Sequence, residues 1–307
     1  MTRAPAIPAG LVAWSQKVSG LTIRGWATPP SGKPLIHFLH GNGLCGLTYW
    51  PMLSRLRDDF DLVMTDIQGH GDSDTGKRFL GWNRNADVCE RLLRHRLQDH
   101  DRDLPVYGMG HSLGAVLTTL LSVREPALFD RLLLLDPVYF PRGILLSMVG
   151  LSLFNTVPAG VPMARSARKR RAAWPTRAVA REHLRHRGVY RDWEDEALQA
   201  FVDWGMTERD GEVHLKCPPV IEARFFGSYP KGLWRAIKQV NVTTDAIIGE
   251  NTYPFVRRTV PTLPQANPAF RVTRTPGGHC FMLEHSADTA ELVRNTLLQA
   301  RPEAGAD

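Results

Sequence analysis

Along most of the chain, short apolar runs alternate with stretches in which apolar positions recur every three or four residues. Leu35–Leu39, Asp61–Thr65, Leu104–Tyr107 and Arg131–Leu135 read as strands, as do Val242–Ile248 and Phe270–Arg274. Between the second and third runs, Ala86, Cys89, Leu93 and Leu97 share one helical face while Arg91 and Arg94 point away. Leu113–Val123 and Ser286–Ala300 read as further helices, the last with Ser286 and Asp288 as its N-cap region. Strand, helix, strand in this order predicts an α/β unit, a mostly parallel twisted sheet flanked by helices. The rhythm stops after Asp136. Residues 141–240 carry apolar patches, a basic run and Trp174, Trp193, Trp204 and Trp234, but no strand–helix alternation. They read as an insertion between two halves of one sheet, residues 1–140 and 241–307.

Composition agrees with a folded chain: 307 residues, 43% hydrophobic and 22% charged, exclude a disordered or fibrous class. The net charge of +7 invites a nucleic-acid or anionic-membrane partner until it is located. Between Arg165 and Arg191 stand ten Lys/Arg and one acid, Glu182, so this segment carries +9 and the rest of the chain 7 − 9 = −2. Only Trp174 and Tyr190 interleave the cations, which argues against nucleic acid. The run reads as a solvated helical face or as a contact for anionic lipid heads or an acidic substrate, since it follows the apolar stretch Ile144–Met163. Asn155, Pro158 and Pro162 interrupt that stretch and argue against a spanning helix. Cys45, Cys89, Cys217 and Cys280 are far apart and follow no secretory signal, so reduced thiols and a cytoplasmic address are expected.

The chemistry concentrates in four motifs. Gly110-His-Ser-Leu-Gly114 matches G-x-S-x-G between a predicted strand and an apolar helix, a setting in which glycines permit a tight turn that exposes Ser112. The same five residues also suit a plain turn that packs a helix on a sheet. With His40-Gly-Asn-Gly43, Asp66-Ile-Gln-Gly-His-Gly-Asp-Ser73 and Gly277-Gly-His-Cys-Phe-Met-Leu-Glu284, in that order, the chain resembles the α/β-hydrolase fold family, in its cap-bearing, esterase- and lipase-like serine hydrolase form. The resemblance covers about residues 20–300, except the inserted, mainly helical cap. It implies Ser112 as nucleophile, His279 as general base and acid, and an oxyanion hole from the backbone N–H groups of Asn42 and Leu113. The Asp66–Ser73 segment reads as a structural turn.

The third triad member departs from the family pattern. The aspartate expected after the next-to-last strand is Thr252, in Ile248-Gly-Glu-Asn-Thr252, and Glu250 stands two residues early. Asp136, at the end of the strand after the nucleophile, is the favoured acid and Glu250 the alternative, both in the chain order Ser, acid, His. A serine nucleophile excludes the alkyl-ester chemistry of dehalogenases and epoxide hydrolases. An ester with an apolar acyl or alcohol part is the expected small-molecule substrate, with cap residues such as Leu145, Met148 and Phe154 as candidate pocket lining. Thioesterase, carbon–carbon bond hydrolase, acyltransferase and a non-catalytic ligand-binding or membrane-associated relative remain open. No metal-ligand spacing and no glycine-rich phosphate loop is present, so no cofactor is expected.

Overall fold

A computed structural model describes residues 5–101, 103–153 and 161–298. Phe154 lies outside the described residues. Eight strands form one sheet: β1 (Val12–Val18), β2 (Leu21–Ala27), β3 (Leu35–Leu39), β4 (Asp61–Thr65), β5 (Val106–His111), β6 (Arg131–Leu135), then, beyond the insertion, β10 (Thr244–Gly249) and β11 (Phe270–Thr275). Their order is β1-β2-β4-β3-β5-β6-β10-β11. β1 and β2 pair antiparallel and β2 joins β4 antiparallel, while every other neighbour is parallel.

The inner parallel strands are short and mostly apolar because both their faces are covered, whereas the edge strand β11 is largely exposed and polar. Leu132 and Leu134 of β6 enter one hydrophobic cluster, and Leu133 and Leu135 enter the other. Helices Gly81–Arg96 and Leu113–Arg124 pack in the first cluster, and Ser286–Leu298 packs in the second. The N-terminal hairpin escaped the sequence pattern because β1 buries only Trp14 and reads as polar. Its Ser19-Gly20 turn has φ of 50° and 77°, the double positive φ that a two-residue hairpin loop requires.

Residues 141–240 contain six helices among the described residues and a small antiparallel sheet, β7 (Ala173–Trp174), β8 (Met206–Arg209) and β9 (Glu212–Leu215), in the order β7-β9-β8. Strands of two and four residues are too short for alternation to register, although Asp210-Gly211 between β8 and β9 is a hairpin signal. The basic run is only partly a solvated face. Arg177 pairs with Glu208, Arg181 and Arg185 with Asp195, and Arg170 with Glu222 at 2.6 Å. Among the described residues no helix is long and apolar enough to cross a membrane.

Candidate active site

The parallel register aligns the carboxyl ends of β5, β6, β10 and β11, and the loops leaving those ends carry the site. His111 of β5 lies opposite Leu135 of β6, and Leu135 opposite Ile247 of β10. Ser112 follows β5 at once. Its φ of 54° and ψ of −111° form a strained turn, held by its N–H donating to the Leu135 carbonyl at 3.0 Å. The turn requires glycine at its far side: a Cβ on Gly114 would lie 2.0 Å from the Leu39 carbonyl oxygen.

Asp136 follows β6 in the same manner. It too has a positive φ, 44°, and its N–H donates to the Ile247 carbonyl at 2.7 Å. The carboxylate is fully buried and receives three hydrogen bonds. Gly249 N–H donates to Oδ1 at 2.9 Å, and the Thr252 hydroxyl and His279 Nδ1–H donate to Oδ2, the latter at 2.5 Å. A buried carboxylate is tolerated only with such donors. On the other side of the same imidazole, Nε2 lies 3.0 Å from Ser112 Oγ. Ser112, His279 and Asp136 are therefore brought together in one hydrogen-bonded line. Glu250, the alternative acid, is exposed, and its backbone N–H donates to the Thr275 carbonyl. It sits beyond β10, one strand further from Ser112 than β6, and does not reach His279. Thr252, in the family's usual acid position, instead supports Asp136.

The histidine loop depends on a close backbone approach. A Cβ on Gly249 would lie 2.1 Å from the Gly278 carbonyl oxygen. Asn251 N–H donates to the Gly277 carbonyl at 2.9 Å, and Gly278 N–H donates to Glu284 Oε2 at 2.6 Å. The Tyr253 ring lies against the imidazole, with centroids 4.6 Å apart.

Asn42 and Leu113 line the cavity beside Ser112. The amides flanking Asn42 are occupied: Gly41 N–H donates to the Tyr49 hydroxyl at 3.0 Å and Gly43 N–H to His70 Nε2 at 2.9 Å. Among the described residues the N–H groups of Asn42 and Leu113 donate to nothing. The Tyr49 hydroxyl donates onward to His111 Nδ1 at 2.6 Å, and His111 Nε2–H donates to the His279 carbonyl at 2.9 Å. This buried relay ties the Gly41–Gly43 loop to the loop of His279. The Asp66–Ser73 segment braces the same loop, with Gly46 N–H donating to Asp66 Oδ1 and Ile67 N–H to His40 Nε2. Burial holds the His40 and His111 imidazoles well below their ordinary range, His70 down at about 4, and pushes the Asp66 carboxyl up to about 6. The relay and its braces therefore work with neutral imidazoles. Sequence reasoning missed the parts played by Tyr49 and Thr252, because nothing local to them signals a contact with a distant loop, and it gave Glu284 no part although its partner Gly278 stands six residues away in the same motif.

The cavity over Ser112 has a volume of about 120 Å³. That approaches the ~150 Å³ of a cavity known to take benzene. Its apolar wall is aromatic: Trp82, Phe140, Phe225, Phe226, Tyr253 and Phe255, with Val138, Met163 and Val189. Leu145 and Met148 do not line it. The helix Arg142–Leu153 turns Met148 inward, packs Leu145 on the core edge, and leaves Ile144, Leu146 and Val149 exposed. The strand-to-cap hinge brings Phe140 to the cavity instead. The polar side of the cavity is the cap pair Arg170–Glu222, with the Arg170 guanidinium also donating to the Tyr190 hydroxyl.

Similarity to known proteins fits this geometry. The chain is 29% identical over 114 residues to (E)-2-((N-methylformamido)methylene)succinate hydrolase of Acinetobacter baylyi, covering 35% of this chain and 39% of that protein. It is 29% identical over 153 residues to monoglyceride lipase of Rattus norvegicus, covering 47% and 49%. The chain thus spans between about two fifths and one half of the length of these curated relatives. Among solved structures, E-2-(acetamidomethylene)succinate hydrolase superposes with a TM-score of 0.73 at 20% identity, covering 94% of this chain and 99% of that one. A thioesterase domain from the curacin biosynthetic pathway gives 0.71 at 17%, covering 92% and 99%. At such identities these two superpositions speak for the fold alone. The family model for the alpha/beta hydrolase family matches residues 38–292, from within β3 to within the closing helix. The chain therefore belongs to the alpha/beta hydrolase family.

Proposed function

We propose that this chain is a serine hydrolase that cleaves a small carboxylic ester through an acyl-enzyme. The observation that carries the reading is the line from Ser112 Oγ to His279 Nε2 at 3.0 Å and from His279 Nδ1 to Asp136 at 2.5 Å. Ser112 Oγ attacks the ester carbonyl as His279 Nε2 takes its proton, and Asp136 stabilises the imidazolium that forms. The oxyanion is met by the N–H groups of Asn42 and Leu113, which line the mostly apolar cavity. His279 returns the proton to the departing alcohol, and water then releases the acid by the same steps in reverse. The compact aromatic cavity favours a short-chain or ring-bearing acyl group over a long one. We also read the enzyme as cytoplasmic, with its four buried thiols free.

A fluorophosphonate probe and a series of p-nitrophenyl esters test the reading together. Labelling is expected in the natural chain and absent in Ser112→Ala, with kcat/KM highest for acyl chains of two to about six carbons. No Ser112-dependent labelling and no ester turnover would sink it.

A further inference from the structure

The cavity over Ser112 shares a wall with a second groove in the cap. Met163, Arg170, Val189, Tyr190, Glu222 and Phe226 line both. The outer groove is also lined by Ser166, Lys169, Arg171, His183 and Arg187, and its one acid, Glu222, is already paired with Arg170.

Seven of the ten cations of the basic run fall into two groups. Arg170, Arg177, Arg181 and Arg185 face acids from later cap segments. Lys169, Arg171 and Arg187 form no ion pair among the described residues. Arg171 donates through Nε to the Ala173 carbonyl at 2.8 Å and lies over the Trp174 ring, and Arg187 Nη1 donates to His183 Nδ1 at 3.3 Å. Burial, then the charges of Arg187 and Arg171, lower the His183 imidazole from its ordinary range. Three like charges along one groove repel one another, and an anion seated among them removes that cost. The groove also adjoins the catalytic cavity along a shared wall, where Met163 and Val189 are 37% and 45% exposed. A ligand with an anionic end and a carbon chain leading inward fits this layout better than a flat membrane surface does.

We propose that the groove is the subsite for a phosphate group on the leaving part of the substrate, so that the enzyme takes esters whose alcohol carries a phosphate while the acyl group fills the aromatic cavity. The inference rests on the hydrolase reading above. In the step itself the bond from Ser112 Oγ to the acyl carbon forms, the ester carbon–oxygen bond breaks, and the phosphorylated alcohol leaves with the proton that His279 took from Ser112. The phosphate is bound and not transferred.

The full chain is assayed on 1-butyrylglycerol and 1-butyrylglycerol 3-phosphate, which differ only in the phosphate. The expected result is a kcat/KM ratio of about tenfold or more in favour of the phosphate ester. That ratio should fall toward unity in the double variant Lys169→Glu with Arg187→Glu, and keep its natural value in Arg165→Glu, the same charge reversal outside the groove. Glycerol 3-phosphate has no scissile bond and reads the groove without catalysis. Its binding by calorimetry, weakened about tenfold or more in the double variant, supports the subsite even if neither ester is turned over, an outcome that counts against the hydrolase reading alone. Equal kcat/KM for the two esters with no binding of glycerol 3-phosphate overturns the proposal. So does binding to phosphatidylglycerol vesicles that the double variant loses while ester kinetics show no phosphate preference, because the cations would then serve a membrane.

Discussion

Two hydrogen-bonded pairs meet at one cavity, His279–Asp136 from the sheet edge and Arg170–Glu222 from the cap, and they are built by opposite means. The first is set by backbone: strands in parallel register, two positive-φ residues at adjacent strand ends, and amides that fix the carboxylate. The second is set by side chains that two cap segments, 52 residues apart, bring together. An imidazole beside a carboxylate can take and return a proton near neutral pH, whereas a guanidinium stays charged throughout. The sheet-edge pair is therefore suited to chemistry and the cap pair to shape and selection. Substitutions that remove each partner in turn should separate the two.

The largest effect is expected at Ser112 and Asp136, the proposed nucleophile and its acid. Ser112→Ala should lower kcat by about a millionfold and Asp136→Asn by about ten-thousandfold, with thermal unfolding kept cooperative. Glu250→Gln should stay within about twofold. A fully active Asp136→Asn would dissolve the contrast. On the cap side, Glu222→Gln leaves the Arg170 guanidinium half-buried without its anion. Denaturant titration should show a loss of about 3–5 kcal/mol, or a separate early transition for the cap, while kcat on small esters changes less than tenfold. A fall in kcat as deep as that of Asp136→Asn would place Glu222 in the chemistry.

The core should also be the acid-sensitive region. His70, held at about 4 when folded against 6.5 in a free imidazole, binds more protons unfolded, so stability falls as pH drops through that window. From pH 7 to pH 5 this one residue should cost about 2 kcal/mol. His40 and His111 act in the same direction. Asp66 acts oppositely, because its folded value of about 6 lies above the unfolded one, and it offsets about 1 kcal/mol over the same interval. Urea titrations at the two pH values in natural chain and His70→Gln measure the difference; identical curves would refute it. A smaller effect than at Asp136 is expected at Thr252→Val, which deletes one hydroxyl donated to Asp136: about a tenfold loss in kcat, and none when Asp136→Asn is already present.

How much of this was legible depends on the range of the interaction. β3, β4 and β6 lie where the apolar runs put them, because a buried parallel strand announces itself by a short, mostly apolar run. The positions of Ser112 after β5 and of His279 after β11 were legible because the turns that present them need glycines at fixed offsets. The choice of Asp136 over Glu250 was arguable from strand order but rests on which strand neighbours β5. The pocket was misread. Leu145 and Met148 are apolar residues of an apolar helix, and no periodicity says which helix face meets the cavity and which meets the core or solvent.

The sequence alone determined the α/β class, the order of the motifs, the turn chemistry at Ser112 and the presence of a basic segment, since all of these are properties of residues close together in the chain. The tertiary structure decided what distance along the chain hides. It set Thr252 and Gly249 on Asp136 across more than a hundred residues, linked the Gly41 loop to His279 through Tyr49 and His111, and paired four of the basic run's cations with acids while leaving Lys169, Arg171 and Arg187 in one groove. Charge counted along a segment ignores the acids that folding brings opposite it. Only the folded arrangement shows which charges remain for a ligand.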